Sequence, residues 1–190
     1  MNREQLVHAI RVACEIIESD SIIVIGSQSI LGSFDEDDLP AEATASREVD
    51  MLPQSSTPEG QKELAELISG VAGEMSLFDD QHGFYLDGVD DTTAILPPGW
   101  QDRLVAFPHD GHRSVLTNAR CIGWCLDPHD LCVAKLCAHR EKDIRFVQTI
   151  IDAELVDAAL VRSRLRSLPP LHAATVALAE TFIRWPGGAV

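Results

Sequence analysis

What the chain lacks narrows what it can be. It has no run of about 18 apolar residues, so no membrane-spanning helix is expected. Its opening, MNREQLVHAIRVACEIIESD, has no continuous apolar stretch after a basic start, as a secretion signal would need. Leu6, Ile10, Ala13, Ile16 and Ile17 instead share one face of an amphipathic helix, and a cytoplasmic location is expected. Positive charge is scarce. Fifteen Lys and Arg stand against 30 Asp and Glu, a formal net charge of −15, which argues against a general nucleic-acid-binding protein. An even set of cysteines is also missing. There are five, and an odd count without a secretion signal implies reduced thiols. No internal repeat and no low-complexity segment occurs.

What is present suits one domain, or a domain with a small appendage: 190 residues, 45% of them hydrophobic. The charge is uneven. Residues 131–190 hold 8 Lys and Arg against 6 Asp and Glu, whereas residues 1–130 hold 7 against 24. A polyanion would therefore meet the C-terminal third first. Cys121, Cys125, His129, Cys132 and His139 cluster in sequence and invite a zinc reading. The C-x3-C spacing is not that of a zinc knuckle, so buried apolar cysteines are the expectation.

The order of elements is mixed α/β, then helical. A helix is expected over 3–18, a buried strand at SIIVIGS and a short helix from SQSILGSF. The acidic segment 35–45 reads as a loop or short surface helix, and REVDMLP as a second strand stopped by Pro53. A helix follows over 58–75, with Leu64, Leu67, Ile68 and Val71 on its core face. Strands are expected at GFYLDGV, RLVAF and ARCIGWCL, the first two separated by the Pro-Pro-Gly turn before Trp100. Trp100 reads as a core anchor, with stacking on a base as the alternative. Four helices close the chain, the first N-capped by Asp127 with Pro128 at its first position.

The chemistry concentrates in IIVIGSQSILGSF and SREVDML. Alternate strand residues share a face, so Glu48 and Asp50 project together. At about 4 Å and an effective dielectric of about 20 they repel by roughly 4 kcal/mol. A divalent cation would offset this, and hard oxygen ligands favour Mg2+ or Mn2+. Two solvated acids on an exposed strand are the alternative. The upstream turn favours the metal. Gly26 lets the backbone approach a ligand, Ser27 supplies a hydroxyl, and a helix opening after them would direct N–H groups at an anion. A phosphate grip beside a metal clamp describes a site for a nucleoside triphosphate.

Gly26-Ser27 followed by Glu48-x-Asp50 resembles the nucleotidyltransferase superfamily pattern, with a longer gap filled by the acidic 35–45 segment. LDPHDLCVAKLCAHREKDIRFV, residues 126–147, resembles the Lys-Leu-x-Ala and Arg-x-Lys-Asp signatures of nucleotidyltransferase-like toxins from abortive-infection and toxin–antitoxin systems. HGFYLDGV…LPPGWQDRLV is similar to the central part of uncharacterised bacterial proteins of that group, and together these cover about residues 20–155. The resemblance implies an α/β nucleotidyltransferase-like mixed sheet with flanking helices over 1–126 and a C-terminal helical part over 127–190. It implies that Gly26, Ser27, Lys135 and Arg140 bind the triphosphate, and that Glu48 and Asp50 coordinate Mg2+. Lys135 and Asp143 would complete the catalytic set with the two acids. It implies transfer of a nucleotidyl group to an acceptor, with tRNA or another RNA as that acceptor and a cognate antitoxin as a protein partner.

Without that resemblance, Lys135, Arg140, Lys142 and Asp143 read as a salt-bridged helix surface, where Lys135→Ala would leave the fold intact. Glu48 stands where most superfamily members have Asp. A third carboxylate has no matched motif, and Asp87 and Asp102 are the candidates. A degenerate nucleotide- or partner-binding module, or a small-molecule or protein nucleotidyltransferase, are the other readings. His109 and His112 read as solvent-exposed loop residues, with a metal pair or general base as the alternative.

Overall fold

In the computed structural model, the described residues are 1–113 and 120–185, with side chains described for all of these except 109–113. The chain opens with α1 (Arg3–Ile16), closed at its start by a reciprocal Asn2–Gln5 capping box. Strand β1 (Ser21–Ile25) follows, then a six-residue 3-10 helix over Ser27–Gly32, where a short helix was expected. The acidic segment forms two single 3-10 turns, Glu36–Asp38 and Ala41–Ala43. Strand β2 is Glu48–Leu52.

The helix expected over 58–75 stops earlier. α2 (Pro58–Ala72) ends at Gly73, and a separate α3 (Leu77–His82) starts from the Ser76 cap. Ser76 accepts from the Asp79 backbone, a local bond that competes with continuing the helix. Strands β3 (Tyr85–Gly88), β4 (Val105–Arg113) and β5 (Arg120–Cys125) complete one five-stranded sheet. β4 runs past the expected RLVAF. His109 and His112 fall on it, but their side chains lie outside the described residues. Helices α4 (Pro128–Ala138), α5 (Glu141–Asp152), α6 (Ala158–Arg166) and α7 (Ala173–Phe182) finish the fold.

The strand order is β3-β2-β1-β5-β4. β1 pairs antiparallel with β2 and parallel with β5, while β2 and β3 run parallel. The two sheet faces differ sharply. Ile22, Val24, Val49, Met51 and Leu86 face the main core, which α1 and α2 cover and which continues into the C-terminal helices. Ile23, Ile25, Leu52 and Val89 face the other way, into a small cluster covered by Ala94, Trp100, Leu104 and Trp124. Trp100 thus anchors the segment that leads from β3 to β4 against this second face.

One ionic network fixes that segment to the helices. Asp130 on α4 is fully buried and accepts from Arg103 Nε at 2.8 Å and from Arg164 Nη1 of α6 at 2.8 Å. Arg164 also reaches Asp127, the α4 N-cap. None of the five cysteines is in a disulfide, and all are buried. Burial pushes the thiol of Cys125 up to about 12, and the zinc alternative gains nothing from the geometry.

Candidate active site

The thinly covered sheet face is where the carboxylates stand. Glu48, Asp50 and Leu52 alternate on β2 with Val49 and Met51, which fill the core. The register sets Asp50 opposite Ile25 on one side and Asp87 on the other. One ligand oxygen from each of Glu48, Asp50 and Asp87 lies within 4.8 Å of the others. Among the described residues this is the only group of three or more His, Cys, Asp or Glu side chains close enough to share an ion. Asp102, the other candidate for a third carboxylate, lies instead on the separate groove floored by Trp100 and Trp124.

The three acids line a cleft of about 520 Å³. Its opposite wall is cationic: Lys135 from α4 and Arg140 and Lys142 from the turn into α5, with Asp143 behind them. The structure therefore brings together Gly26, Ser27, Glu48, Asp50, Lys135, Arg140 and Asp143, all of which line the cleft. Lys135 Nζ donates to Ser27 Oγ at 2.9 Å and to Asp143 Oδ1 at 2.7 Å, and Arg140 Nε donates to Asp143 Oδ2 at 2.5 Å. Lys135 and Asp143 are only 6% and 1% exposed, so the salt-bridged surface alternative fails for them. Arg140 and Lys142 are exposed. Burial opposes ionisation of Asp143, but the hydrogen bonds and charges of Lys135 and Arg140 outweigh it and hold its carboxyl below the usual range.

Gly26 has a reason to be glycine that the sequence conceals. Its backbone sits at φ 67° and ψ −167°, a region essentially reserved for glycine. A Cβ there would lie 1.8 Å from Asp50 Oδ2. The turn is bare because the carboxylate lies across it.

The third acid has its own support. Ser69 Oγ on α2 accepts from the Gly88 backbone N–H at 2.8 Å and donates to Asp87 Oδ1 at 3.4 Å. β3 packs hard against α2 here, since a Cβ on Gly88 would lie 1.9 Å from the Ala65 carbonyl oxygen. Asp87 was one of the two sequence candidates for a third carboxylate, and the pairing of β3 with β2, a tertiary fact, is what selects it.

Two of the acids, Asp50 and Glu48, are pushed toward their protonated forms. Burial, then the charges of Glu48 and Asp87, push Asp50 up to about 7, against the pull of Lys135 and Arg140. Burial, then the charge and hydrogen bond of Asp87, raises Glu48 as well. Three hard oxygen donors that resist sharing one negative region fit a divalent cation at their centre.

Residues 4–170 match the family described as "Nucleotidyltransferase of unknown function (DUF6036)". The chain belongs to this family. No curated protein and no solved structure matches it. The mixed five-stranded sheet with flanking helices is the nucleotidyltransferase-like fold, and in this nucleotidyltransferase family member the acidic triad is compatible with a metal. No helix among the described residues is long and apolar enough to cross a membrane.

Proposed function

We propose that the chain is a metal-dependent nucleotidyltransferase that moves a nucleotidyl group from a nucleoside triphosphate to an acceptor. The observation that carries this reading is the facing of three carboxylates and a cationic wall across one cleft, with Gly26 and Ser27 between them. Glu48, Asp50 and Asp87 would hold Mg2+ or Mn2+, which neutralises charge developing on the phosphate oxygens. Ser27, Lys135 and Arg140 would grip the triphosphate. Asp143 orients both cations by accepting from each. Phosphoryl chemistry asks for positioning and charge more than for covalent help, and this residue set offers both.

The presence of Asp87 in the triad favours an enzyme over the degenerate module, whose main support was a missing third acid. RNA, and tRNA ends above all, is the acceptor this reading takes from the toxin resemblance. The exposed Arg140 and Lys142 at the cleft favour a polyanion there. A cognate antitoxin and a cytoplasmic setting belong to the same reading. So does a division of labour in which residues 1–126 supply the metal ligands and residues 127–190 supply the cations.

The test is incubation with each labelled nucleoside triphosphate, Mg2+ and total RNA and protein. Label should pass to an acceptor with the wild type and not with Asp50→Ala. Triphosphate binding without transfer to any acceptor would favour the module. Absence of metal-dependent binding would reject both.

A further inference from the structure

The sheet face that carries the acids also carries a groove with a different chemistry. Ile23 of β1, Leu52 of β2 and Trp124 of β5 form its floor, and Trp100 and Leu104, from the segment that leads from β3 to β4, line it as well. Its volume is about 510 Å³, within the roughly 300–1,000 Å³ usual for small-ligand sites. The groove is separate from the cleft but joined to it. A hollow of about 420 Å³ shares Leu52, Asp91 and Trp100 with the groove, and Ile25 and Thr92 with the cleft.

Charge divides along this trough. The cleft has Lys135, Arg140 and Lys142 on one wall, whereas neither the groove nor the joining hollow has a Lys or Arg among its described lining residues. The groove has two carboxylates instead, Asp91 and Asp102, both exposed. Neither carboxylate takes part in a hydrogen bond or ion pair among the described residues, whereas that of Asp90 is held by Thr92. A positive charge is drawn both to a carboxylate and to the face of an indole ring, so this lining suits an organic cation.

The rest of the groove narrows the kind of cation. Asp91 and Asp102 belong to no group of three ligands close enough to share an ion, so a bare metal ion has no cage there. Leu52, Leu104 and the two indoles offer apolar surface for methylenes. A peptide strand finds no purchase on the floor. β2, β1 and β5 are the three inner strands of the sheet, each with a neighbour on both sides, and have no free edge to pair with it. An RNA strand would meet two unpaired carboxylates and no cation for its phosphates.

We infer that this groove binds an aliphatic di- or polyamine, with ammonium groups on Asp91 and Asp102 and methylenes against Trp100, Trp124 and Leu104. The inference goes beyond the nucleotidyltransferase reading and does not depend on it. One trough then serves two ligands of opposite charge, a phosphate-bearing one at the cleft and an amine in the groove.

The experiment titrates spermidine into the full chain at low ionic strength, without nucleotide or divalent metal. It reads calorimetric heat and tryptophan emission, since two of the chain's three tryptophans line the groove. Saturable binding with a change in emission is expected, weakening as salt is raised. The double variant Asp91→Asn, Asp102→Asn should bind roughly tenfold more weakly and keep the wild-type melting temperature, because both side chains are exposed and unpaired. Gln101→Lys, which adds a cation to the groove lining and removes no acid, should also weaken binding. Hexanediol, uncharged and of similar build, should not bind. Absence of saturable spermidine binding overturns the inference. So does wild-type affinity in the double variant, which would put the amine elsewhere, on the acid triad for instance. Hexanediol binding as tightly as spermidine overturns it too, as does tighter binding of a single-stranded RNA oligonucleotide that the double variant abolishes. The nucleotidyltransferase reading is tested by label transfer, which none of these outcomes touches.

Discussion

Replacing Gly26 with alanine tests whether the turn exists for the carboxylate that lies across it. Two costs follow. The backbone at φ 67° and ψ −167° is closed to a residue with a Cβ, at about 1–3 kcal/mol. For a chain of this length about 1 kcal/mol corresponds to a shift of roughly 2–4 °C, so a fall of a few to about ten degrees in melting temperature is expected. The second cost falls on Asp50. A methyl group 1.8 Å from its Oδ2 and 2.7 Å from its Cγ overlaps it outright, so the carboxylate must rotate away from Glu48 and Asp87. Loss of a supporting partner alone weakens metal sites by about 10–100-fold, and loss of a ligand oxygen should exceed that. The assay is Mn2+ titration by calorimetry below the melting transition, beside Asp50→Asn, which removes the ligand charge without backbone strain. Both variants should bind Mn2+ at least tenfold more weakly, and only Gly26→Ala should melt early. Gly26→Ala with wild-type Mn2+ affinity would refute the reasoning.

Mn2+ affinity should fall as pH drops below about 7, where Asp50 takes up a proton in the metal-free site, and level off above it; calorimetry from pH 5.5 to 8.5 checks this. The raised Asp50 value also means that the folded state holds a proton the unfolded chain has lost between about pH 4 and 7. Its ionisation therefore costs stability as pH rises, and Asp50→Asn should melt higher than the metal-free wild type at pH 8. Ser69→Ala should weaken Mn2+ binding about tenfold by releasing Asp87, while costing about 1 kcal/mol for the Gly88 N–H it leaves unpaired; denaturant melts and titrations read both. Lys135→Ala, which would be mild on a helix surface, should instead cost about 3–5 kcal/mol in urea unfolding, because it leaves buried Asp143 with Arg140 alone.

Much of this arrangement was legible before any coordinates. Glu48 and Asp50 share a face because strand alternation requires it, and Asp127 with Pro128 announces α4 through capping chemistry alone. Lys135, Arg140 and Asp143 were placed by resemblance to known motifs, not by their spacing. What stayed hidden depends on pairing between distant segments. Asp87 joins the triad only because β3 lies beside β2 in one register. The need for glycine at position 26 comes from Asp50, 24 residues away. The burial of Lys135 comes from its insertion between Ser27 and Asp143, which no helical periodicity reveals.

The Asp130 network has a mechanical consequence. Residues 92–95, which wall the cleft on one side, belong to the segment that ends at Arg103. Lys135, on the other side, lies on the same helix as Asp130. A single buried carboxylate thus works as a tie bar between the two jaws of the cleft, with Arg103 pulling on one and Arg164 steadying the other. Neither Asp130 nor its two arginines lines the cleft, yet their ion pairs join the elements that do. A change at Arg103 would alter the jaw spacing while every residue lining the cleft kept its identity.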